Sequence, residues 1–462
     1  MTAEKGKGIT RVQALIVLAV IVVAAIAGGY YYNLSTAPGA TTRSTTATAS
    51  SVSGPTSVKI GAVVPLTGGN AGFGTDYGET YKLAVDTFNA QGGIYANSLG
   101  AKVKIEMVGP LDDQTNPAVG ASLVERLITQ DKVVAILGTG GSGSILAQIP
   151  IAEKYHVPYV QPGGAIDQLT TSGYKYEFDT FFTLSIADEQ CFQMLQSLLP
   201  SGRPKTLGIW ASNSPTGLGQ VQPLAALAKK YGYTVVYNYT YQPSTTDYSP
   251  MILGAKQANP DFLYESGGVT AEGVAIRRQM QTLGYSPPFY FDPTGAQDSQ
   301  YGKNLGQLSD YVVFPTNYSP LLTFPGNAEF VAAWKNKMGY PPAGSAGGGY
   351  MTAQVLFNAI ATAKSLTPDD IRDALAATQM NTIVGPVNFN VPGHQGRINA
   401  PVVFIQWQSG AGQVVWPKEG ATAKFWYPEP SWDKWAPPTS LIGPINFAMM
   451  VQWQEGIQPD PR

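Results

Sequence analysis

Residues 58–94 read VKIGAVVPLTGGNAGFGTDYGETYKLAVDTFNAQGGI and decide the fold class. The apolar run at 58–65 predicts a buried strand, and a glycine-rich loop follows it. Residues 77–90 have the amphipathic spacing of a helix. A strand rich in Val and Ile that leads into a helix is typical of a βαβ unit. The stretch therefore predicts an α/β fold with a parallel sheet covered by helices on both faces.

The alternation of strand and helix continues beyond this stretch in two successive series, here called the first and second rounds. The first round adds strands at 101–108, 132–138 and 157–162 and helices at 118–130 and 144–155. The second round has strands at 205–210, 233–239, 261–266 and 288–291 and helices at 217–231, 249–258 and 270–283. Two successive α/β rounds are hard to merge into one sheet, so the sequence predicts two similar lobes.

A third region follows, with helices predicted at 326–338, 348–365 and 368–378 and strands at 387–391 and 402–407. Thr367 is expected to cap the last of these helices, because Pro368 and two acids follow it in the first turn. We expect these pieces to return and complete the two lobes.

Composition excludes several classes of protein and of site. Charged residues make up only 13% of the 462 residues and the net charge is −2, which argues against a nucleic-acid-binding protein. The single cysteine, Cys191, excludes an internal disulfide, and His156 and His394 lie too far apart for a local metal motif. The sequence therefore predicts no metal and no cofactor.

Hydrolase motifs such as G-x-S-x-G and H-E-x-x-H are missing. Cys191 lies in an apolar helical context, which predicts a buried thiol without a catalytic role. His394 falls in a Pro-Gly turn and is expected to be a surface loop residue. Asp112 and Asp113 are adjacent, so a solvated turn or a helix cap is favoured over a catalytic pair. The protein is therefore not expected to be an enzyme, and a secreted hydrolase stays a less favoured alternative.

The amino terminus predicts the compartment. An uncharged apolar run at 12–32 follows Lys5, Lys7 and Arg11 and reaches the roughly 20 residues that cross a bilayer. The basic flank predicts a single span, residues 1–32, with the rest of the chain on the extracytoplasmic side of the cell membrane. Two alternatives stay open: a signal peptide cleaved at the A-x-A-like site 25–27, and pilin-like processing at Lys7-Gly8.

Residues 33–57 consist almost entirely of Ser, Thr, Ala, Gly and Pro and predict a flexible stalk. Three sequons begin at Asn33, Asn238 and Asn317, so we expect a glycoprotein.

A glycine-rich motif, GTGGSG at 138–143, stands between a predicted strand and a predicted helix. It matches the G-x-G-x-x-G pattern of dinucleotide sites, but no acidic residue closes a second strand about 20 residues later. Backbone N–H groups at a helix N-terminus, together with the Ser142 hydroxyl, suit a carboxylate equally well.

Several motifs together resemble a known family. Residues 58–94 contain a strand that ends in Pro-Leu-Thr-Gly and a helix that ends in Asn-Ala-Gln-Gly-Gly, and DDQTNP, VPYVQPGGA, DFLYESGG and VGPVNFN follow in order. In order and spacing these motifs resemble the type I periplasmic solute-binding proteins of the branched-chain amino acid (Leu/Ile/Val) receptor family, here of a membrane-anchored archaeal type. The resemblance covers about residues 58–435.

The resemblance implies two Rossmann-like lobes joined by a three-strand hinge, with a small ligand bound between them. Lobe one would comprise residues 58–182 and 314–397, and lobe two residues 183–313 and 398–435. Residues 436–462 have no counterpart in the family and form a C-terminal extension.

The resemblance also implies ligand contacts. Ser142 matches the hydroxyl that holds a ligand carboxylate, Gly163 a position that offers backbone groups, and Phe73 an aromatic that packs on the ligand. Gly141 and Gly164 adjoin these positions. Departures from the family pattern fall at four expected contacts, which are Ala165, Thr216, Val269 and Thr294.

These departures leave a ligand ammonium group without an evident partner. Because burying an unpaired charge costs several kcal/mol, one of Glu265, Glu272 or Asp292 takes over the role or the ligand lacks the ammonium group. The sequence leaves both possibilities open.

The function implied by the resemblance is the substrate-binding protein of an ABC importer. It would capture a branched-chain amino acid or a related small carboxylate or amide and deliver it to the permease subunits. A ligand-sensing receptor module on the same fold and a surface structural protein are the alternatives from other classes.

Overall fold

A computed structural model describes residues 56–435 of the chain. The predicted membrane span, most of the stalk, the first sequon and the C-terminal extension lie outside these residues. None of the helices within the described part has the length and hydropathy that a membrane span requires.

The first of two large sheets has six strands in the order β2-β3-β1-β4-β5-β6. Strands β2 and β3 are antiparallel, and the other neighbours are parallel. The strand bounds are β1 Ser57–Val64, β2 Ile94–Ala96, β3 Ala101–Asp112, β4 Ile136–Leu137, β5 Tyr159–Gln161 and β6 Glu177–Asp179. The helices of this segment are α1 Ala71–Ala90, α2 Pro117–Thr129, α3 Ser142–Lys154 and α4 Gln168–Thr171.

The second sheet follows in the chain and has seven strands. Its strands are β7 Thr206–Ser212, β8 Thr234–Tyr241, β9 Phe262–Ser266, β10 Phe289–Phe291, β11 Val313–Thr316, β14 Val403–Gln408 and β15 Ala411–Trp416. Their order across the sheet is β15-β14-β11-β10-β9-β7-β8, parallel from β11 to β8 and antiparallel at β14 and β15. The accompanying helices are α5 Leu184–Leu198, α6 Pro215–Tyr231, α7 Ser249–Ala258, α8 Thr270–Thr282 and α9 Ser299–Leu305.

The remaining elements are helices α10 Asn327–Met338, α11 Gly344–Thr362 and α12 Pro368–Ala376 and the hairpin β12 Gln379–Thr382 with β13 Gly385–Asn388. Although these elements lie between β11 and β14 of the second sheet in sequence, α11 packs against α1 of the first sheet. Glycines make this approach close, since a Cβ atom at Gly349 would lie 2.5 Å from the Thr80 hydroxyl oxygen. The expected α/β architecture with two sheets and return segments is thus observed.

Three stretches of chain connect the two sheets. The first follows β6, the second follows β11, and the third runs from Arg397 to β14. The first and third stretches are bonded to each other, because Ile398 N–H donates to the Asp179 carbonyl over 2.8 Å. The boundary predicted at residue 314 falls within β11, a strand of the second sheet.

Local sequence explains where the helices begin. Asn116 caps α2 by accepting from the N–H groups of Ala118 and Val119, and Pro117 occupies the first helical position. Thr367 caps α12 as predicted, accepting from Asp370 N–H.

The structure also decides several side-chain predictions. Cys191 is fully buried, as expected. Asp113 is buried and accepts from the Thr139 hydroxyl over 2.7 Å, so the solvated turn predicted for it is wrong.

Glycosylation at Asn317 is also contradicted, because its side chain is buried and Nδ2 donates to the Thr180 carbonyl over 3.2 Å. Asn238 is exposed on β8, and its modification stays a prediction.

Candidate ligand-binding site

A cavity of about 480 Å³ lies between the two sheets. Its first wall is formed by loops that follow β1, β3, β4 and β5, and its second wall by loops that follow β7, β8, β9 and β10. Both walls are therefore at the carboxyl ends of parallel strands, where α/β proteins bind ligands.

Eight of the eleven predicted ligand contacts line this cavity. They are Phe73, Gly141, Ser142, Gly163, Ala165, Thr216, Val269 and Thr294. The structure thus brings together residues that are up to 221 positions apart in the chain, from 73 to 294. Their contact with a ligand stays a prediction.

Ser142 is the first residue of α3, and its side chain is almost fully buried. Its oxygen accepts from Ala165 N–H over 3.2 Å, which leaves the hydroxyl proton available for a ligand. The preceding Gly141 has φ +92°, a conformation that favours glycine, and a Cβ atom there would lie 2.6 Å from Asn70 Nδ2. Gly141 therefore allows the chain to turn into α3 beside the cavity.

Five helices begin at the cavity. The lining residues Asn70, Pro117, Ser142, Pro215 and Val269 lie at the N-termini of α1, α2, α3, α6 and α8, respectively. The first N–H groups of a helix lack acceptors within it, and the helix dipole places a partial positive charge there. Among the described lining residues there is no Lys or Arg, so an anion in this cavity would depend on backbone and hydroxyl donors.

Aromatic side chains form the apolar part of the first wall. Phe73 stacks on Tyr77 with ring centroids 6.0 Å apart, and the Tyr77 hydroxyl donates to the Pro162 carbonyl over 3.4 Å. Phe181 also lines the cavity. Tyr77 and Phe181 were not among the predicted contacts, although Tyr77 is four residues after Phe73 and shares its helix face.

Three predicted contacts, Gly164, Glu265 and Asp292, are not among the lining residues. Gly164 follows the lining residue Gly163, and a Cβ atom on it would meet buried side chains, with Gln161 Nε2 at 2.4 Å. Glu265 lies beneath Gly268, where a Cβ atom would be 2.5 Å from its Oε1. Asp292 lies beneath Gly295 in the same way, with Oδ2 at 2.8 Å from such an atom.

The two acids beneath the cavity interact with each other. Burial raises the pKa of Glu265 well above its usual value, and the nearby charge of Asp292 adds to this effect. Burial also raises the pKa of Asp292 to about 6, although Gly295 N–H donates to its Oδ1 over 2.7 Å. The two carboxyl groups are hydrogen-bond partners of each other, and each lies beneath a glycine, which makes both acids poor partners for a ligand cation.

Glu272 is the acid that does reach the cavity. It lies in the first turn of α8, and its carboxylate accepts from Ser244 N–H over 2.7 Å and from Val269 N–H over 3.2 Å. Both donors are lining residues, so the carboxylate is part of the second wall. Thr294 contributes its hydroxyl nearby and donates to the Gly268 carbonyl over 2.8 Å.

A family model described as periplasmic binding protein matches residues 57–412, more than three quarters of the chain. The chain belongs to the periplasmic binding protein family. This result confirms the family and the two-lobe fold that the sequence motifs indicated.

Individual relatives of this periplasmic binding protein agree with the assignment. The Leu/Ile/Val-binding protein homolog 8 of Brucella melitensis is 29% identical over 79% of this chain and 92% of its own length. The crystal structure of a leucine binding protein from Thermotoga maritima has a TM-score of 0.68 and 25% identity, covering 78% of this chain and 97% of that one. The branched-chain amino acid transporter substrate binding protein of Streptococcus pneumoniae, solved with isoleucine, has the same TM-score at 24% identity, covering 78% of this chain and all of that one.

Proposed function

We propose that this protein is the extracytoplasmic substrate-binding component of an ABC importer and that it captures an amino acid or a related small carboxylate. The observation that carries the proposal is the cavity between the sheets, where five helix N-termini meet without a Lys or Arg among the described lining residues. Membership of the periplasmic binding protein family supports it, and so do relatives named for binding leucine, isoleucine or valine.

We place the ligand carboxylate at the N-terminus of α3. The Ser142 hydroxyl proton is free to donate to it, and the first N–H groups of α3 face no acceptor within the helix. Phe73 packs against the ligand side chain, and Thr216, Val269 and Thr294 contact the ligand from the second wall. Gly163 N–H is already donated to Gln161 Oε1, so this glycine offers its carbonyl group.

Closure of two lobes around the ligand follows from the same proposal. Lobe one comprises residues 58–182 and 317–397 and lobe two comprises residues 183–316 and 398–435, because the predicted boundary at residue 314 moves to the end of β11. The three connecting stretches form the hinge. The ligand would bridge the two walls of the cavity and so favour the closed arrangement.

We further propose that residues 1–32 anchor the protein in the membrane and that the permease subunits of the importer receive the ligand from it. The run of uncharged apolar residues behind Lys5, Lys7 and Arg11 supports the anchor. In this proposal the protein acts by binding and release, without catalysis, and the naming of its relatives as binding proteins supports it.

The test is a thermal-shift and calorimetric screen of the full chain against amino acids, amides and short-chain carboxylates. A ligand at a hundred times its Kd should stabilise the folded state by about 2.7 kcal/mol. A screen in which none of these compounds shifts the unfolding temperature would overturn the receptor function.

A further inference from the structure

A second cavity, of about 430 Å³, shares no described lining residue with the ligand cavity. One of its walls belongs to the second sheet and α9, with lining residues from Ser299 to Lys303, at Phe314 and along β14 and β15. The other wall lies between Tyr318 and Gly344 and includes part of α10 and the start of α11. The two walls belong to different proposed lobes, so the second cavity also lies between the lobes.

Trp407 gives the second cavity a fixed apolar surface. Its ring packs on Phe314 with centroids 5.9 Å apart, and its Nε1 donates to the Ala296 carbonyl over 3.2 Å. Gly302 allows α9 to approach this ring, because a Cβ atom there would lie 2.4 Å from it. On the other wall, the lining residue Leu321 is 41% exposed, so it has apolar surface left to cover. A cavity of this size and lining is suited to the apolar part of a small molecule.

Two exposed lysines give the second cavity its charge. Lys303 belongs to α9 and Lys335 to α10, so each wall contributes one of them. The described lining residues include no Asp or Glu, and neither lysine forms an ion pair within residues 56–435. The Lys303 ammonium group lies 5.0 Å from the centroid of the Tyr340 ring, another lining residue. An anion in this cavity is therefore attracted by both walls.

We infer that the second cavity binds an apolar monocarboxylate. The hydrocarbon part of this molecule packs on Trp407 and Leu321, and its carboxylate lies between Lys303 and Lys335. A zwitterionic amino acid is a poorer occupant, because its ammonium group would come close to two lysines. This specificity differs from the one proposed for the ligand cavity, and binding here does not require the receptor function.

Contacts between the two walls connect this site with the arrangement of the lobes. Gln300 Nε2 donates to the Tyr340 hydroxyl over 2.8 Å, and Ala343 N–H donates to Ser299 Oγ over 3.1 Å. A rotation of one lobe would change both distances. A carboxylate that touches both walls therefore favours the arrangement described here, in which the ligand cavity also has both its walls in place. If the receptor function holds, the two ligands should strengthen each other's binding.

The experiment uses octanoate as the probe and its neutral amide, octanamide, for comparison. Both are titrated into the full chain in a calorimeter while the best amino acid of the screen saturates the ligand cavity. We expect octanoate to bind under these conditions at least about tenfold more tightly than octanamide, as for a charge-assisted contact. We also expect the Kd of the amino acid to fall at least about fivefold when octanoate is saturating.

The double variant Lys303→Gln, Lys335→Gln should bind octanoate at least about tenfold more weakly and octanamide with a Kd within about threefold of the native value. Both lysines are exposed, and the unfolding temperature checks that the fold is intact. Lys337→Gln is the matched control, because Lys337 is also an exposed residue of α10 but pairs with Glu79 and does not line the second cavity. It should leave both Kd values unchanged.

Three results would overturn the second site. They are octanoate that the amino acid displaces, equal affinities for octanoate and octanamide, and unchanged octanoate affinity in the folded double variant. An amino-acid Kd that does not respond to octanoate would overturn the coupling between the cavities. The receptor function is tested separately, because a protein that binds no amino acid but binds octanoate through the two lysines supports the second site alone.

Discussion

Arg397 and Asp179 form an ion pair in which 3.0 Å separates Nη2 from Oδ2, and both side chains are fully buried. Arg397 also donates to the Phe181 carbonyl over 3.0 Å. The backbone reinforces the pair, because Asp179 N–H donates to the Gly396 carbonyl over 2.8 Å. These bonds fasten the third connecting stretch to the end of β6, where the first one starts.

Replacing Arg397 should therefore destabilise the fold strongly. Arg397→Met leaves the Asp179 carboxyl buried without its partner, so we expect the free energy of unfolding to fall by about 3–5 kcal/mol in chemical denaturation. Arg126→Met is the control, since Arg126 pairs with Asp131 in a half-exposed position, and it should cost less than about 1 kcal/mol. Equal effects of the two substitutions would contradict the structural role of the buried pair.

Ser142→Ala should weaken the binding of carboxylate ligands about tenfold, because one hydrogen bond to the charged group is lost. The variant also removes the acceptor of Ala165 N–H, so its unfolding temperature is measured alongside the Kd. Ser122→Ala is a suitable control, since Ser122 is exposed and its hydroxyl donates to the Ala118 carbonyl of its own helix. Unchanged affinity in a folded Ser142→Ala variant would exclude Ser142 from the anion site.

Phe73→Ala should lower affinity in proportion to the size of the ligand side chain. Loss of an aromatic contact worth about 1–2 kcal/mol predicts that leucine binds about tenfold more weakly. The affinity for alanine or glycine should change much less, and calorimetry measures both. Phe88 lies on the same helix but packs on Phe357 with ring centroids 5.1 Å apart. Phe88→Ala should therefore lower stability and leave the order of ligand affinities unchanged. An equal loss of affinity for all ligands in Phe73→Ala would argue against packing of Phe73 on the ligand side chain.

Asp298 should make stability depend on pH. It caps α9 and is fully buried, and burial raises its pKa to about 7, with the charge of Asp76 adding to the effect. Burial likewise raises the pKa of Asp76 to about 6. Because both folded-state values exceed the unfolded value of 3.8, the folded state binds more protons, and the stability that these groups contribute falls as the pH rises from 3.8 and is lost above about 6 to 7.

The variant Asp298→Asn tests this direction, since asparagine also caps helices but does not titrate. Its unfolding temperature should decline less than that of the native protein between about pH 5 and about pH 8. The Thr270 hydroxyl and the N–H groups of Gln300 and Tyr301 face this side chain and do not titrate in that range. Parallel declines in the two proteins would contradict the titration of Asp298.

The sequence predicted the order of strands and helices well where apolar periodicity is strong. Helix α7 has the predicted bounds, but α1 begins at Ala71, six residues before the predicted start at residue 77. The missed turn contains Gly72 and Gly74, which lower helix propensity. A Cβ atom at Gly74 would lie 1.9 Å from the carbonyl oxygen of Pro65, the residue directly after β1, so the close approach of the helix start to this residue requires glycine.

Helix α11 was misjudged for the same reason, since it begins at Gly344 and not at residue 348. Its glycine-rich first turn packs on Tyr318, where a Cβ atom at Gly347 would come within 1.9 Å of the ring. Local helix propensity favoured a loop at these glycines. The helix start is instead stabilised by contact between Gly347 and Tyr318, which lies 29 positions earlier in the chain. Sequence patterns do not contain such contacts.

At the candidate site, the loops that the resemblance implied do line the cavity, but the resemblance did not establish which acids reach it. Glu265 and Asp292 stand at the carboxyl ends of β9 and β10, so their position in sequence favoured both as contacts. Their side chains turn beneath Gly268 and Gly295, and this depends on the three-dimensional path of the loops. Glu272, on the following helix, is the acid whose carboxylate those loops leave at the surface of the cavity.

The three connecting stretches between the sheets have a kinematic consequence. Three tethers that cross side by side, two of them bonded to each other at Asp179 and Ile398, prevent the two bodies from sliding apart or twisting freely. A rotation of one lobe relative to the other, about an axis through the three connecting stretches, is the motion that stretches none of these stretches. The proposed closure of the lobes would then follow a single coordinate, and one pair of spectroscopic probes, one on each body, would be sufficient to record it.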